Sequence, residues 1–515
     1  MENGRQHKHV VMLPFMAQGH MIPFLALARQ IEQRTGYAIT IATTPINAVY
    51  LRSSISSSTT TTTTTIRVVE LPFCSADHGL PPNTENTEAL PNHHIMTLFR
   101  ASQTLEPSFH NLVSTITEKY GEPPLCIIAD VFFGWSVDVA MRFGSFHVGF
   151  TTCGGYGTAA YISLWLNLPH RHTDSDDFTV PGFPETCRFL RSQLNPTLRS
   201  ADGTDPWSTV FRRELQLSLR SNGFLCNTVE EMETFGLEAL RAVTGIPVWP
   251  IGPLQPPAFL NLPCTTDSNL SSSRSVKKHG IAPENCIKWL DYHPPGSVLY
   301  ISFGSQNTIN PTQMMELAMG VEASGKAFIW VVRPPVGFDI NGEFKAEWLP
   351  EGFEERVTES RRGLVVRTWA PQLEILSHKS TGAFLSHCGW NSSLESLSQG
   401  VPIIGWPLVA EQAYNSKMME EEMGVCVELA RGPDSRVLSE EVERVIELVM
   451  GEGEKGKEMK MKASEAAKKI RAAVREGDQL GSSVKALDDF LQTALSKRHE
   501  NADEAMTRRA IAAGQ

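Results

Sequence analysis

Short apolar runs alternate with amphipathic segments along this chain, and the alternation starts twice. Residues 9–15 (His-Val-Val-Met-Leu-Pro-Phe) read as a buried strand. Residues 21–34 read as a helix with Ile22, Leu25, Leu27 and Ala28 apolar, and 37–43 as a second strand. Residues 125–129 form a third strand ending at Asp130, followed by a helix over 135–143. Strands apolar at every position, each followed by a helix, belong in a parallel sheet covered on both faces. The pattern restarts with strands at 297–302, 328–332, 363–366, 383–386 and 402–405 and a helix over 311–324. An α/β chain with two Rossmann-like domains in tandem follows.

The 515 residues hold ample apolar material for two cores, at 41 % hydrophobic. Acidic residues outnumber basic ones, 57 to 46, for a net charge of −11. That balance argues against a nucleic-acid partner or a non-specific hold on anionic membrane. No run of about 18 apolar residues exists, so no integral membrane segment is expected. The apolar run 10–15 is too short for a secretory signal. The nine cysteines are scattered with no Cys-x-x-Cys pair, as in a protein with reduced thiols and neither a zinc ribbon nor a dithiol redox site. A soluble, cytoplasmic protein is the expectation.

Composition marks the boundaries. Residues 53–65 end in seven threonines, a low-complexity insertion. Residues 253–283, after Trp249-Pro-Ile-Gly-Pro253, are rich in Pro, Ser and Asn and read as a linker. An N-terminal domain over 1–252 and a C-terminal domain over 284–475 follow, then a helix within 476–495 returning to the first domain and a disordered tail over 496–515. The basic segment 455–475 reads as a solvated helix face with Ala463, Ala466, Ala467 and Ile470 buried.

The densest chemistry lies between Trp369 and Gln412. Within it, Phe384-Leu-Ser-His-Cys-Gly-Trp-Asn-Ser-Ser-Leu-Glu395 reads as strand, turn and helix start. Amides and dipole at a helix N-terminus bind anions. Gly389 allows close backbone approach, His387, Asn391 and Ser392 can add donors, and Glu395, one turn on, can accept from a ribose diol. Ser392-x-x-Glu395 also fits a capping box, and both readings can hold together. Gly320 to Lys326 mimics a phosphate loop, but Ala327 replaces the required hydroxyl and the segment joins helix to strand. No GxGxxG follows the first strand, against a dinucleotide oxidoreductase. Asn391-Ser-Ser393 is formally a glycosylation acceptor, expected to be unused in a non-secreted chain.

This 44-residue window resembles the signature segment of plant secondary-product UDP-glycosyltransferases. The resemblance extends to Gln18-Gly19-His20, Tyr300-Ile-Ser-Phe-Gly-Ser305 and Phe328-Ile-Trp-Val-Val-Arg333, nearly the whole chain. It implies the glycosyltransferase B fold (GT-B), in which two Rossmann-like domains face each other across a cleft, the donor mainly on the second and the acceptor on the first. It implies that Trp369 stacks on uracil, with Ala370 and Gln372 at its edge or the ribose. Glu395 would hold the ribose, while His387, Asn391, Ser392 and Ser305 would hold the diphosphate. Trp390, Glu411 and Gln412 would hold the sugar. Thr152 would touch the donor from the first domain, although the family often has an aromatic where Thr151 stands.

His20 and Asp130 each follow an apolar strand, so both can occupy the carboxyl edge of one parallel sheet, where such sheets bind ligands. Their pairing comes from the resemblance, with His20 as general base and Asp130 fixing its tautomer and charge. The implied enzyme is an inverting UDP-glucose-dependent O-glucosyltransferase giving a β-glucoside of a small lipophilic acceptor, a phenolic or flavonoid first, a terpenoid or steroid second. The alternative is a non-catalytic UDP-sugar-binding or acceptor-sequestering protein on the same fold. No cofactor and no metal are expected, UDP-glucose being a co-substrate, and the chain is expected to be a monomer. Gln412 goes with glucose in the resembling family, and a side-chain amide can bridge two adjacent equatorial hydroxyls. Loops 74–100 and 180–205, with Phe73, His93, His94, Phe132, Phe133, Trp135 and Trp165, are candidates for the acceptor pocket.

Overall fold

A computed structural model describes residues 8–56, 64–88, 90–261, 280–432 and 435–513. The middle of the serine/threonine tract and most of the linker, with Cys264, lie outside the described residues. The eight cysteines within them are free thiols.

Two parallel sheets organise the chain. The first has seven strands in the spatial order Ile66–Glu70, Ala38–Thr43, His9–Leu13, Cys126–Asp130, Phe146–Thr151, Phe224–Cys226, Val248–Pro250. The second has six: Gly363–Arg367, Ala327–Val332, Val298–Ser302, Thr381–Ser386, Ile403–Gly405, Cys426–Glu428. In each, strand order reverses beside the first strand of the domain. Leu13 pairs Ala129 across one reversal and Ser302 pairs Ser386 across the other. Loops leaving such neighbours diverge to opposite faces and open a crevice at the carboxyl ends. The two Rossmann-like domains therefore each offer one crevice.

Burial explains the elements. Val10, Val11 and Met12 have no exposed surface because helices cover both faces of the sheet. The helix Gln18–Thr35 buries Met21, Phe24, Leu25, Leu27, Ala28 and Ile31, and ends at Gly36, whose φ of 69° lets its N–H reach the Glu32 carbonyl. The helix Glu454–Ala473 buries Ala463, Ala466, Ala467 and Ile470, as its pattern predicts.

Among the described residues, five strands of these two sheets escape the sequence reading: 66–70, 146–151, 224–226, 248–250 and 426–428. Three of them are only three residues long, too short for a periodic signal. Strand Phe146–Thr151 carries buried polar His147, satisfied by Ser136 and Ser221 hydroxyls at 2.9 Å each, and burial pushes this imidazole's pKa down to about 3. Gly149 interrupts the same strand because a Cβ there would meet the Phe224 ring at 2.6 Å.

The last helix also differs from the reading. It runs Ser482–Ala513, through the residues expected to be a disordered tail. No proline or glycine interrupts 482–513, and the segment is rich in Ala, Lys, Arg and Glu. Its start packs on the first sheet. Phe490 is fully buried against Trp249 and Phe146, contributing about 2–3 kcal/mol. The Trp249 indole N–H donates to Asp489 (2.7 Å).

Candidate active site

The first crevice holds His20 and Asp130. Asp130 ends its strand fully buried, and His20 stands in the first turn of the helix after the neighbouring strand. His20 Nδ1 lies 2.6 Å from Asp130 Oδ2, and the Phe132 N–H donates to Oδ1 (3.2 Å). A carboxylate accepts only, so Nδ1 carries the proton and Nε2 keeps its lone pair. Burial works against a charged imidazole, but Asp130's charge and hydrogen bond, with Glu411's charge, outweigh it and raise the His20 pKa above 6.5. A quarter of the His20 side chain (24 %) remains exposed.

Aromatic rings flank this histidine. Phe15 and Phe132 centre 5.6 and 5.7 Å from the imidazole, backed by Phe99 and Phe211. Of the expected acceptor-pocket residues, Phe132 is here and half-buried. Phe133, Trp135 and Trp165 are core, each about 1 % exposed. Phe73 instead stacks on His78 (5.0 Å), and His93 and His94 pack on each other (4.2 Å). Thr152, expected at the donor, has its hydroxyl 3.5 Å from His20 Nδ1.

The second crevice gathers the window residues. The helix Trp390–Ser398 follows strand Thr381–Ser386 with Gly389 as its N-cap and no side chain capping it. The capping-box reading is thereby corrected. Ser392 Oγ and Glu395 Oε2 instead both accept from Gln372 Nε2, at 3.1 and 2.7 Å, while the Tyr300 hydroxyl donates to Gln372 Oε1 (3.1 Å). Gln372 thus fixes a buried carboxylate and a hydroxyl on the first turns of that helix. Its uncapped amides have no intrahelical acceptor and aim into the crevice.

His387 is buried between two glycines. A Cβ on Gly304 or Gly389 would come within 2.5 or 2.4 Å of its Nε2, and its Nδ1 is buried. Burial, aided by the Arg333 charge, pushes its pKa down to about 4, so the ring is a neutral donor. Arg333, given no role from sequence, is missed: it forms no ion pair among the described residues. Its guanidinium donates to the carbonyls of Ser305 (2.5 Å), Asn307 (3.3 Å) and Gly304, tying down the loop that carries Ser305. Its position at the end of strand Ala327–Val332 was legible; its carbonyl partners were not.

Three non-glycine residues here have left-handed backbones, each costing about 1–3 kcal/mol: Thr368 (φ 66°), Cys388 (61°) and Ala410 (55°). They stand immediately before Trp369, Gly389 and Glu411. Asn415 holds two of these turns, its Nδ2 donating to the Cys388 carbonyl (3.0 Å) and to Glu411 Oε1 (3.3 Å). Trp369 is half-buried and Ala370 buried.

Two sugar-side expectations change in detail. The Trp390 indole N–H is committed to the Asn227 carbonyl (2.7 Å), and Gln412 Oε1 accepts from the Leu408 and Val409 amides (3.0 Å each). Gln412 therefore has only its NH₂ to offer a ligand. Asn391 is half-buried, its Nδ2 donating to the Gly19 carbonyl (2.8 Å) and its Oδ1 accepting from Asn227 Nδ2 (3.3 Å). The second domain thereby touches the residue next to His20.

Comparison with known proteins agrees with this fold. Residues 276–469 match the family described as "UDP-glucoronosyl and UDP-glucosyl transferase", and residues 7–169 match "Glycosyltransferase, N-terminal domain". The chain is 44 % identical over 499 residues to UDP-glycosyltransferase 92A1 of Arabidopsis thaliana, covering 96 % of this chain and 98 % of the relative. It is 48 % identical over 463 residues to crocetin glucosyltransferase 3 of Crocus sativus, covering 87 % and 92 %. The crystal structure of Glycyrrhiza uralensis UGT73P12 complexed with glycyrrhetinic acid 3-O-monoglucuronide superposes with a TM-score of 0.81 at 28 % identity, covering 99 % of this chain and 100 % of that one. Among the described residues, no helix is long and apolar enough to cross a membrane.

Proposed function

This chain belongs to the plant family of UDP-glycosyltransferases, and from that premise we propose that it transfers glucose from UDP-glucose to a hydroxyl of a small lipophilic acceptor. A phenolic such as a flavonoid comes first and a terpenoid or steroid second. The product is a β-glucoside formed with inversion, and the enzyme works as a cytoplasmic monomer. The observation that carries the reading is the 2.6 Å His20–Asp130 pair, set among aromatic rings and facing the uncapped helix of the other domain.

In this reading His20 Nε2 takes the acceptor proton while Asp130 stabilises the imidazolium. The acceptor oxygen attacks the anomeric carbon from the face opposite UDP. Half-buried Phe132 offers an apolar wall to a flat acceptor, with buried Phe15 packed behind it. Charge developing on UDP falls to the amides opening the helix at Trp390, Asn391 and Ser392, to His387 and to Ser305, all preorganised before reaction. Glu395 takes the ribose hydroxyls, with Trp369 and Ala370 on the uracil and Gln372 orienting Glu395. Trp390, Glu411 and Gln412 enclose the sugar, and Thr152 supports His20. No metal takes part in this proposal.

The Gln412 geometry refines the donor prediction. Its carbonyl oxygen holds two backbone amides, so its NH₂ alone can donate to a sugar hydroxyl. Gln412→Ala removes that donor, together with the acceptor of the Leu408 and Val409 amides. Leaving one sugar hydroxyl unpaired costs about 1–3 kcal/mol, so glucose transfer is expected to fall roughly tenfold to a hundredfold with UDP affinity little changed. Competition among UDP-glucose, UDP-galactose and UDP-glucuronate, read as UDP released with each, tests the donor. UDP-glucose is expected to win, and a clear preference for either other sugar contradicts the donor part of this reading.

A further inference from the structure

Helix Gln18–Thr35 contains Pro23, four residues after Gly19. A helical carbonyl normally accepts from the N–H four residues on. Proline has no N–H, and its ring crowds that carbonyl and turns it outward. The Gly19 carbonyl receives a donor from elsewhere: Asn391 Nδ2 of the second domain, at 2.8 Å. The residue next to Gly19 is His20.

Asn391 is itself held. Its Oδ1 accepts from Asn227 Nδ2 (3.3 Å). Asn227 is buried, its own Oδ1 takes the Leu254 N–H (2.9 Å), and its carbonyl takes the Trp390 indole N–H (2.7 Å). Each polar atom of the Asn391 side chain therefore makes a hydrogen bond across the domain boundary. The hydrogen bonds run from a rigid residue of the first domain, through the start of the donor-side helix, back to the turn carrying His20.

We propose that Pro23 and Asn391 form a strut that positions His20: proline withholds the helix's own hydrogen bond from the Gly19 carbonyl, and Asn391 fills that place from the opposite domain. This rests on the functional reading above and assigns the Asn391 side chain to positioning the base, with its backbone amide facing the diphosphate. The Asn391–Gly19 hydrogen bond then ties the turn that carries the base to the donor-side helix. Near-attack geometry is sensitive at about the 1 Å level, where a displacement costs up to roughly a hundredfold in rate.

The experiment is a double-mutant cycle with Pro23→Ala and Asn391→Ala, reading kcat, KM for each substrate, UDP affinity and Tm. Each single variant is expected to lose about tenfold to a hundredfold in kcat with UDP affinity near wild type. The double variant is expected to lose little more than either, because both remove one interaction. Pro23→Ala is expected to melt at or above the wild-type Tm, since alanine is favoured over proline inside a helix. A residue needed only for helix packing would instead lose stability together with activity. Asn391→Ala weakening UDP binding while sparing kcat would make the side chain a diphosphate ligand and overturn the strut. Unchanged kcat in Pro23→Ala, or full additivity of the two losses, would overturn it too. If Asn391→Ala does not fold, the kcat and Tm of Pro23→Ala decide alone. Failure of the wild type to bind UDP or turn over would count against the functional reading rather than the strut.

Discussion

Replacing His20 with alanine is expected to lower kcat by roughly two to four orders of magnitude. UDP affinity should stay near the wild-type value. The separation of tasks is structural. His20 belongs to the first sheet's crevice and is held there by Asp130. The residues proposed for the nucleotide stand in the second crevice, on strand ends and on the helix Trp390–Ser398. Alanine removes the Nε2 lone pair without touching the Gln372–Glu395–Ser392 cluster. Turnover assays beside calorimetric UDP titration check both halves. Near-wild-type turnover on an alcohol acceptor would remove His20 from the mechanism, and a large loss of UDP affinity would contradict the division of labour.

Asp130→Asn should be nearly as damaging, with a distinct pH signature. The wild-type carboxylate accepts from His20 Nδ1–H and so leaves Nε2 as the base. An asparagine amide can donate instead and stabilise the opposite tautomer, a change that costs about 10⁴ in rate where the same pair serves a serine nucleophile. The pH limb follows from the same contacts. Burial lowers the His20 pKa, while Asp130's charge and hydrogen bond, with Glu411, raise it further than burial lowers it. Only the neutral imidazole is a base, so wild-type activity is expected to fall as pH drops through a value above 6.5. In the asparagine variant Asp130's contribution disappears and burial remains. The limb is expected to move to lower pH while the plateau collapses. A pH–rate profile of both proteins reads this directly, and an unmoved limb would show that another group sets it.

The positions of these two residues were legible in the sequence, each just beyond an apolar strand, but their partnership was not. They are 110 residues apart, and only the strand order, which places their strands side by side, brings them together. The second crevice was legible for a different reason. Its residues are nearly contiguous in one strand–turn–helix, so local pattern carries them. What stayed hidden is what backbone atoms do. Asn227, Asn415 and Arg333 act on or through main-chain carbonyls, which leave no pattern in side-chain identity. The left-handed Thr368, Cys388 and Ala410 were hidden because no glycine marks them. Ser392 and Glu395 fit a capping box in sequence, but the helix starts at Gly389 and a glutamine twenty residues upstream claims both. Proline at position 23 was visible throughout, yet its consequence requires the opposite domain.

The central claim is that the paired imidazole and carboxylate activate an acceptor hydroxyl against a UDP-sugar held by the facing helix. The most direct test is to incubate the enzyme with UDP-glucose and a panel of phenolic, terpenoid and steroid alcohols, and to identify products by mass spectrometry and the anomeric proton coupling. The account predicts stoichiometric UDP release with a β-linked O-glucoside of at least one acceptor. An α-linked product, or tight UDP binding without transfer to any acceptor, would contradict it.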